Sequence, residues 1–390
     1  MIQAKVLQKF GLTVIGFSAL GLTLLYSSQA SALSCKLDNS YGVMNYTMPL
    51  QSLNLTVGPD VSNGTIIYRQ YFKPSRGTLI NCSENNGVSY QPTINWSYSS
   101  TPNGISHWSG TPFSGKVYET GVPGVGIAIY TYNKTVDRYT VPFSYQPWQE
   151  EKNTDSASWL AQGGFEFDVV LIKTGAITPG TVSGPQLPVV IYNFQAQNIS
   201  PIYLGSLSFS GAINIVSRTC TTPDVVVQMG THEISKVFYK NNDKENKGSY
   251  TEWKDASIKL TDCPRFYGTL NDGRNTFNSD NGASGKGKIT NNILSLTLTP
   301  NTAVIDSAKG IFSVKTGEKS ATGVGIQLAY GSENTANPKF VDFSLSHDYT
   351  VPDDAVTNRS FPLIARYIQT GSEVTAGKAD ATVTFTINYY

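Results

Sequence analysis

The sequence is short of charge and of the residue types that carry acid–base chemistry. Among its 390 residues only 15% are Asp, Glu, Lys or Arg, and there are just three histidines and four cysteines. His107, His232 and His347 stand far apart without metal-ligand spacing. Neither a Gly-x-Ser-x-Gly elbow nor a His-Glu-x-x-His pair occurs, so the usual signatures of serine hydrolases and zinc proteases are missing. A carboxylate pair for glycoside hydrolysis could only be assembled by folding. The chain therefore does not read as an enzyme, and it calls for no cofactor and no metal. Its 29 basic residues nearly match its 28 acidic ones, which gives no electrostatic footing for nucleic acid. After Tyr26 no apolar run reaches the length of a membrane span.

What is present begins with an export signal. Lys5 and Lys9 precede the apolar stretch 10–26, and Ala30-Ser31-Ala32 supplies a small-residue cleavage site. Residues 1–32 are expected to be removed, leaving 27 basic against 28 acidic residues. An exported chain meets an oxidising compartment, where four cysteines imply two disulfides. Three pairings are possible. The sequential one, Cys35 with Cys82 and Cys220 with Cys263, is preferred because it puts one bridge near the start of each half. Each would close a loop of some forty residues, worth about 4 kcal/mol in a chain-entropy account. A zinc site is disfavoured, since no Cys-x-x-Cys occurs.

Apolar, β-branched and aromatic runs punctuated by Gly and Pro predict strands along the whole chain. In the first half they cover 65–72, 88–98, 125–132, 166–173, 188–196 and 202–216. In the second they cover 224–229, 257–260, 289–298, 323–330, 340–345 and 363–369. Helical periodicity is suggested only around 150–160. The Asn/Gly/Ser-rich stretch 271–287 is expected to be a mobile loop, and its Gly-Ala-Ser-Gly-Lys lacks the spacing of a phosphate loop. The fold class is all-β, as two β-sandwiches in series. The boundary is expected at a short linker, 217–219, between domains 33–216 and 220–390.

The end of the sequence is the most patterned part. Across 377–390, Ala379, Ala381, Val383, Phe385, Ile387 and Tyr389 alternate with polar residues. This is a strand with one apolar face, and as the last strand it has no downstream segment to cover its outer edge. Such an edge invites pairing with another chain.

Four landmarks in the second half resemble the pilin domain of bacterial chaperone–usher fimbriae. Cys220 precedes Val225-Val226-Val227-Gln228-Met229-Gly230. The stretch from Gly323 to Leu328 reads Gly-Val-Gly-Ile-Gln-Leu, and that from Phe361 to Tyr367 ends Ala-Arg-Tyr. Finally, Gly377 stands fourteenth from the end and Tyr389 is penultimate. The resemblance implies an incomplete immunoglobulin-like sandwich lacking its last strand. A periplasmic chaperone would first fill the gap, and an adjacent fimbrial subunit would then donate a strand at the outer-membrane usher. It assigns Gly377, Ala381, Val383, Phe385, Ile387 and Tyr389 to the accepting edge. A whole domain precedes Cys220 where ordinary pilins carry a free donor segment. The resemblance therefore implies a two-domain adhesin at the fimbrial tip on the bacterial surface, with a lectin-like first domain binding a host glycan or glycoprotein. A matrix-protein receptor, or a structural tip or initiator subunit without a receptor, are the alternatives.

The first half is similar to fimbrial lectin domains in fewer places. Compared with N-acetylglucosamine-binding fimbrial lectins, Asn133 stands where an Asp holds ligand, and Gln162-Gly163 follows Ala161 rather than Thr. Sugar binding needs an aromatic surface and fixed amides or carboxylates. The candidates are Asn133, Trp148, Trp159, Gln162 and Asp137, with Asp155 nearby and the loop residue Trp108 as a further aromatic. Trp96, within an alternating strand, reads as core.

Overall fold

The computed structural model describes residues 34–83, 93–131, 134–137, 141–143, 149–153, 156–161, 165–196, 199–238 and 249–390. Their regular structure is almost entirely strand, organised around two large hydrophobic cores. In the first, a five-stranded sheet runs in the order Val141–Phe143, Thr93–Ser100, Val189–Gln195, Ile202–Ser210, Met44–Pro49. Against it lie Tyr118–Glu119, Val125–Thr131, Phe167–Lys173 and Ile66–Phe72. Alternation explains how these strands pack: in Thr93–Ser100, Ile94, Trp96 and Tyr98 point inward while their neighbours do not. Trp96 is fully buried, as its pattern predicts, and meets Phe167 edge-on with ring centroids 5.7 Å apart.

The second core gathers Leu294, Leu296, Leu298, Phe312, Val324 and Phe361. One sheet follows the order Lys254–Asp255, Leu363–Gln369, Val324–Tyr330, Ile311–Ser313, Val304–Asp306. The other has Asn292–Pro300 at its centre, flanked by His347–Val351 and Val383–Tyr389. Both disulfides follow the sequential pairing, Cys35–Cys82 and Cys220–Cys263. Cys35 and Cys82 are direct register partners on adjacent strands.

Several expectations are corrected. The region 150–160 is not helical but a hairpin, Gln149–Asn153 with Ser156–Ala161. Residues 202–216 are two strands, interrupted at Gly211, whose φ of +78° suits glycine. The 340–345 strand shrinks to Lys339–Phe340. In the terminal segment, only Val383–Tyr389 is a strand, while Lys378 makes an isolated bridge with Ser320.

The stretch 271–287 departs most from expectation. Instead of a mobile loop it forms a small hairpin, Phe277–Asn278 with Ser284–Gly285, added in parallel to the edge of Ile66–Phe72. Main-chain bonds knit the two: Arg69 N donates to Leu270 O at 2.7 Å and Tyr71 N to Thr276 O at 2.8 Å. Side chains reinforce the seam. Arg274 lies 4.2 Å over the Tyr71 ring and faces Glu166 and Asp168, and Ser75 N donates to Asp280 Oδ1. A composition of Asn, Gly and Ser reads as loop, but the exposed edge of another sheet supplies the partner that such a segment cannot provide locally. Leu270 accordingly joins the first core, although it follows Cys220 in sequence.

Candidate assembly groove and receptor-side residues

Val383–Tyr389 pairs with Asn292–Pro300 on one side and with no strand on the other, among the described residues. Its side chains sort by parity. Val383, Phe385 and Ile387 are half-buried, Tyr389 is buried, and Thr384 and Thr386 are exposed. The backbone sorts the same way. Tyr390 exchanges both hydrogen bonds with Ile293, and Asn301 N donates to Thr382 O. Even-numbered residues therefore bond inward, and the N–H and C=O groups of Val383, Phe385, Ile387 and Tyr389 face the open edge.

Opposite that edge runs 224–230. The sequence predicts a strand at 224–229; the segment is extended in alternation but pairs with no strand among the described residues. Val225, Val227 and Met229 are half-buried, and Val226, on the other face, is 80% exposed. No strand among the described residues lies alongside it, and a ladder needs two sides.

Between the two walls lies a groove of about 690 Å³. Its floor is the core itself, with Ile258, Leu298, Phe312, Ile326 and Leu328 among the lining residues. One end is closed, where Cys220 N donates to the Tyr389 hydroxyl at 3.2 Å and Phe266 stacks on the Tyr389 ring. Burial holds the Tyr389 phenol above its usual range, so it stays a neutral hydroxyl in that contact. At the same end Tyr389 N, an outward-facing donor, is taken by Asp60 Oδ2 at 2.8 Å. Gly58 makes this approach possible, since a Cβ there would fall 1.9 Å from Tyr389 O. Gly377 serves the other end in the same way: a Cβ would fall 2.4 Å from the backbone of Ser320 and Ala321.

Residues 207–390 match the sequence profile of the fimbrial protein family. This part of the chain is similar to a fimbrial protein domain. The match begins thirteen residues before Cys220, inside the strand Ile202–Ser210. No curated protein matches the chain. Among solved structures, the CupB6 tip adhesin of Pseudomonas aeruginosa is 16% identical, covering 91% of this chain and 95% of its own, with a TM-score of 0.32. A Burkholderia pseudomallei antigen and type I fimbria protein is 23% identical over 44% of this chain and 90% of its own, with a TM-score of 0.24. The Proteus mirabilis ambient-temperature fimbriae adhesin AtfE is 14% identical over 45% of this chain and 99% of its own, also with a TM-score of 0.24.

The fold brings the edge residues named from the sequence, Ala381, Val383 and Phe385, onto one groove wall. Ile387 and Tyr389 continue the same face towards its closed end. The opposite wall was legible as alternation in 225–229, although nothing in the sequence places it across from the terminal strand.

The receptor-side candidates are scattered. Asn133, Trp148, Gln162 and Asp155 lie outside the described residues. Trp159 sits within the strand Ser156–Ala161, in register with Ile80, rather than on a loop. Asp137 accepts a hydrogen bond from the Tyr118 hydroxyl at 2.6 Å, and its carbonyl accepts from Tyr98 N. It braces the first core beside two buried tyrosines.

Trp108 is the candidate that lines a cavity. A pocket of about 570 Å³ is bounded by Ser106–Gly110, Glu119, Gly124 and 174–176. The sequence offered Trp108 but not Glu119, in the strand Tyr118–Glu119, or Thr174, just after the strand Phe167–Lys173.

Proposed function

We propose that the chain is the adhesin at the tip of a chaperone–usher fimbria, completed by a β-strand from another polypeptide. One observation carries the reading: an outward-facing strand edge and an unpaired extended segment flank a groove floored by the domain's own core. A donor strand there would satisfy both rows of backbone groups and cover the apolar floor, which is strand addition. Burying about five donor side chains at roughly 1.5–3 kcal/mol each gives on the order of 8–15 kcal/mol gross, comparable to a domain's entire stability. Folding and assembly would then be linked: first a periplasmic chaperone, then an adjacent subunit delivered at the usher.

The tip position rests on what precedes Cys220. The strand Ala212–Val216 there is paired on both sides, with Gly180–Ser183 and Leu53–Thr56, and so is not free to be lent to a neighbour. Residues 33–216 would then be the receptor-binding domain, 217–219 the linker and 220–390 the accepting domain, with a host-surface glycan as the receptor. Periplasmic co-expression with and without the cognate chaperone tests this. The chaperone should co-purify one-to-one and raise the yield of soluble chain. A monomer equally abundant and stable without it would refute the reading.

A further inference from the structure

The Trp108 pocket is built before any ligand arrives. Its loop is closed by its own hydrogen bonds: Trp108 Nε1 donates to Pro112 O at 2.8 Å, Gly115 N to Trp108 O at 3.0 Å, and Ser114 Oγ to Ser109 O at 2.8 Å. The indole's single donor is thereby spent within the chain, its rotation is fixed, and its carbon surface is what remains to face the cavity. Trp108 also packs on a small core of Val117, Ala128, Val170 and Ile172. The far wall approaches closely because Gly124 lacks a Cβ, which would meet Ala176 O at 2.2 Å. Preformed walls lower the ordering cost of binding, and the volume falls within the range of small-ligand sites.

The charge of the lining selects the ligand class. Among the described residues that line it, Glu119 is the only carboxylate and there is no lysine or arginine. An anionic ligand would meet a like charge and find no cation to offset its desolvation. Beside the indole stand hydroxyl and imidazole groups of Ser109 and His107, both exposed, and Thr174. One fixed apolar surface, one acceptor-only carboxylate and a few neutral donors suit a pyranose, with C–H groups on one side and hydroxyls around its rim.

We propose that this pocket binds a neutral saccharide against Trp108, and that Glu119 accepts sugar hydroxyls while excluding sialylated and sulfated glycans. The proposal rests on the adhesin reading above and adds the site and the ligand class to it. The test uses the full chain held by its chaperone, probed with lactose, N-acetyllactosamine, their α-sialylated forms and choline. Calorimetry should show saturable binding of at least one neutral sugar and at least tenfold weaker binding of its sialylated form. Trp108→Ala should weaken neutral-sugar binding by about tenfold or more, as for a buried aromatic anchor. Glu119→Gln, which removes charge but not shape, should weaken it several-fold and narrow the gap to the sialylated probe. Thermal melts establish that each variant is folded, and Glu119→Gln alone decides if Trp108→Ala is not. Equal binding of sialylated and neutral probes, preference for choline, or sugar binding untouched by either variant would overturn the site while leaving an adhesin that binds elsewhere. Absence of binding to every probe overturns it as well, and chaperone capture then reports separately on the assembly reading.

Discussion

Replacing Phe385 by Ala separates the groove from ordinary core packing. Phe385 is half-buried on the groove wall, and its N–H and C=O face the open edge. Fully burying a phenylalanine stabilises by about 1.5–3 kcal/mol. Since at most about a third of its surface is still exposed, a donor strand would add no more than about 0.5–1 kcal/mol at this position. That corresponds to roughly 2- to 5-fold weaker donor binding in Phe385→Ala. Thr386, one residue on, is exposed on the opposite face; Thr386→Ala should leave affinity within twofold. The assay is the dissociation constant for a synthetic peptide spanning the chaperone's donor strand, measured by fluorescence anisotropy on proteins refolded side by side. Equal losses in both variants, or none in Phe385→Ala, would refute an alternating face turned into the groove.

Three further outcomes follow from the junction. Arg274→Ala removes the cation over Tyr71 and its half-exposed pairing with Glu166 and Asp168; it should cost about 0.5–1 kcal/mol of stability, read as a lower chemical-denaturation midpoint, and no shift would mean the seam contributes nothing. Acid should loosen the same seam. Burial opposes the Asp280 charge, but hydrogen bonds from Ser75 and Ser279 outweigh it and hold the carboxyl below its ordinary range, near about 4 for a free carboxylate. A depressed carboxylate pKa stabilises the docked hairpin above that value and loses the contribution as pH falls through the docked pKa. Amide exchange at 276–285 should accordingly accelerate below about pH 4 more than in Asp280→Asn, and identical profiles would count against the contact. Gly58→Val would place a side chain against Tyr389 O and should lower the melting temperature by several degrees; an unchanged melt would show that the first domain does not touch the terminal strand.

Sequence legibility followed the range of the interactions. Period-two alternation in 88–98, 188–196 and 377–390 reports a local geometry, one buried face, and strands form at 93–100, 189–195 and 383–389, the last shorter than the pattern. The cysteine pairs were legible because each closes within its own half. The hairpin at 277–285 was not, since its partner lies some two hundred residues upstream and local composition carries no trace of it. Residues 150–160 misled because Glu150-Glu151-Lys152 favours a helix locally, whereas the edge of the strand Thr78–Ser83 offers Ser156–Ala161 a ladder. The Trp108 pocket was half legible: an aromatic in a Gly- and Ser-rich loop stands out, but its companion Glu119 is an unremarkable strand residue until folding sets it there.

Amide hydrogen exchange across 383–389, with and without a bound donor strand, measures the vacancy at single-residue resolution. In the lone chain, Val383, Phe385 and Ile387 should exchange fast while Thr384, Thr386 and Asn388 are protected. Adding the donor should protect the first three and leave the others unchanged. If all six were already slow without a donor, the sheet would be complete as it stands, and this chain would have no place waiting for a strand from another.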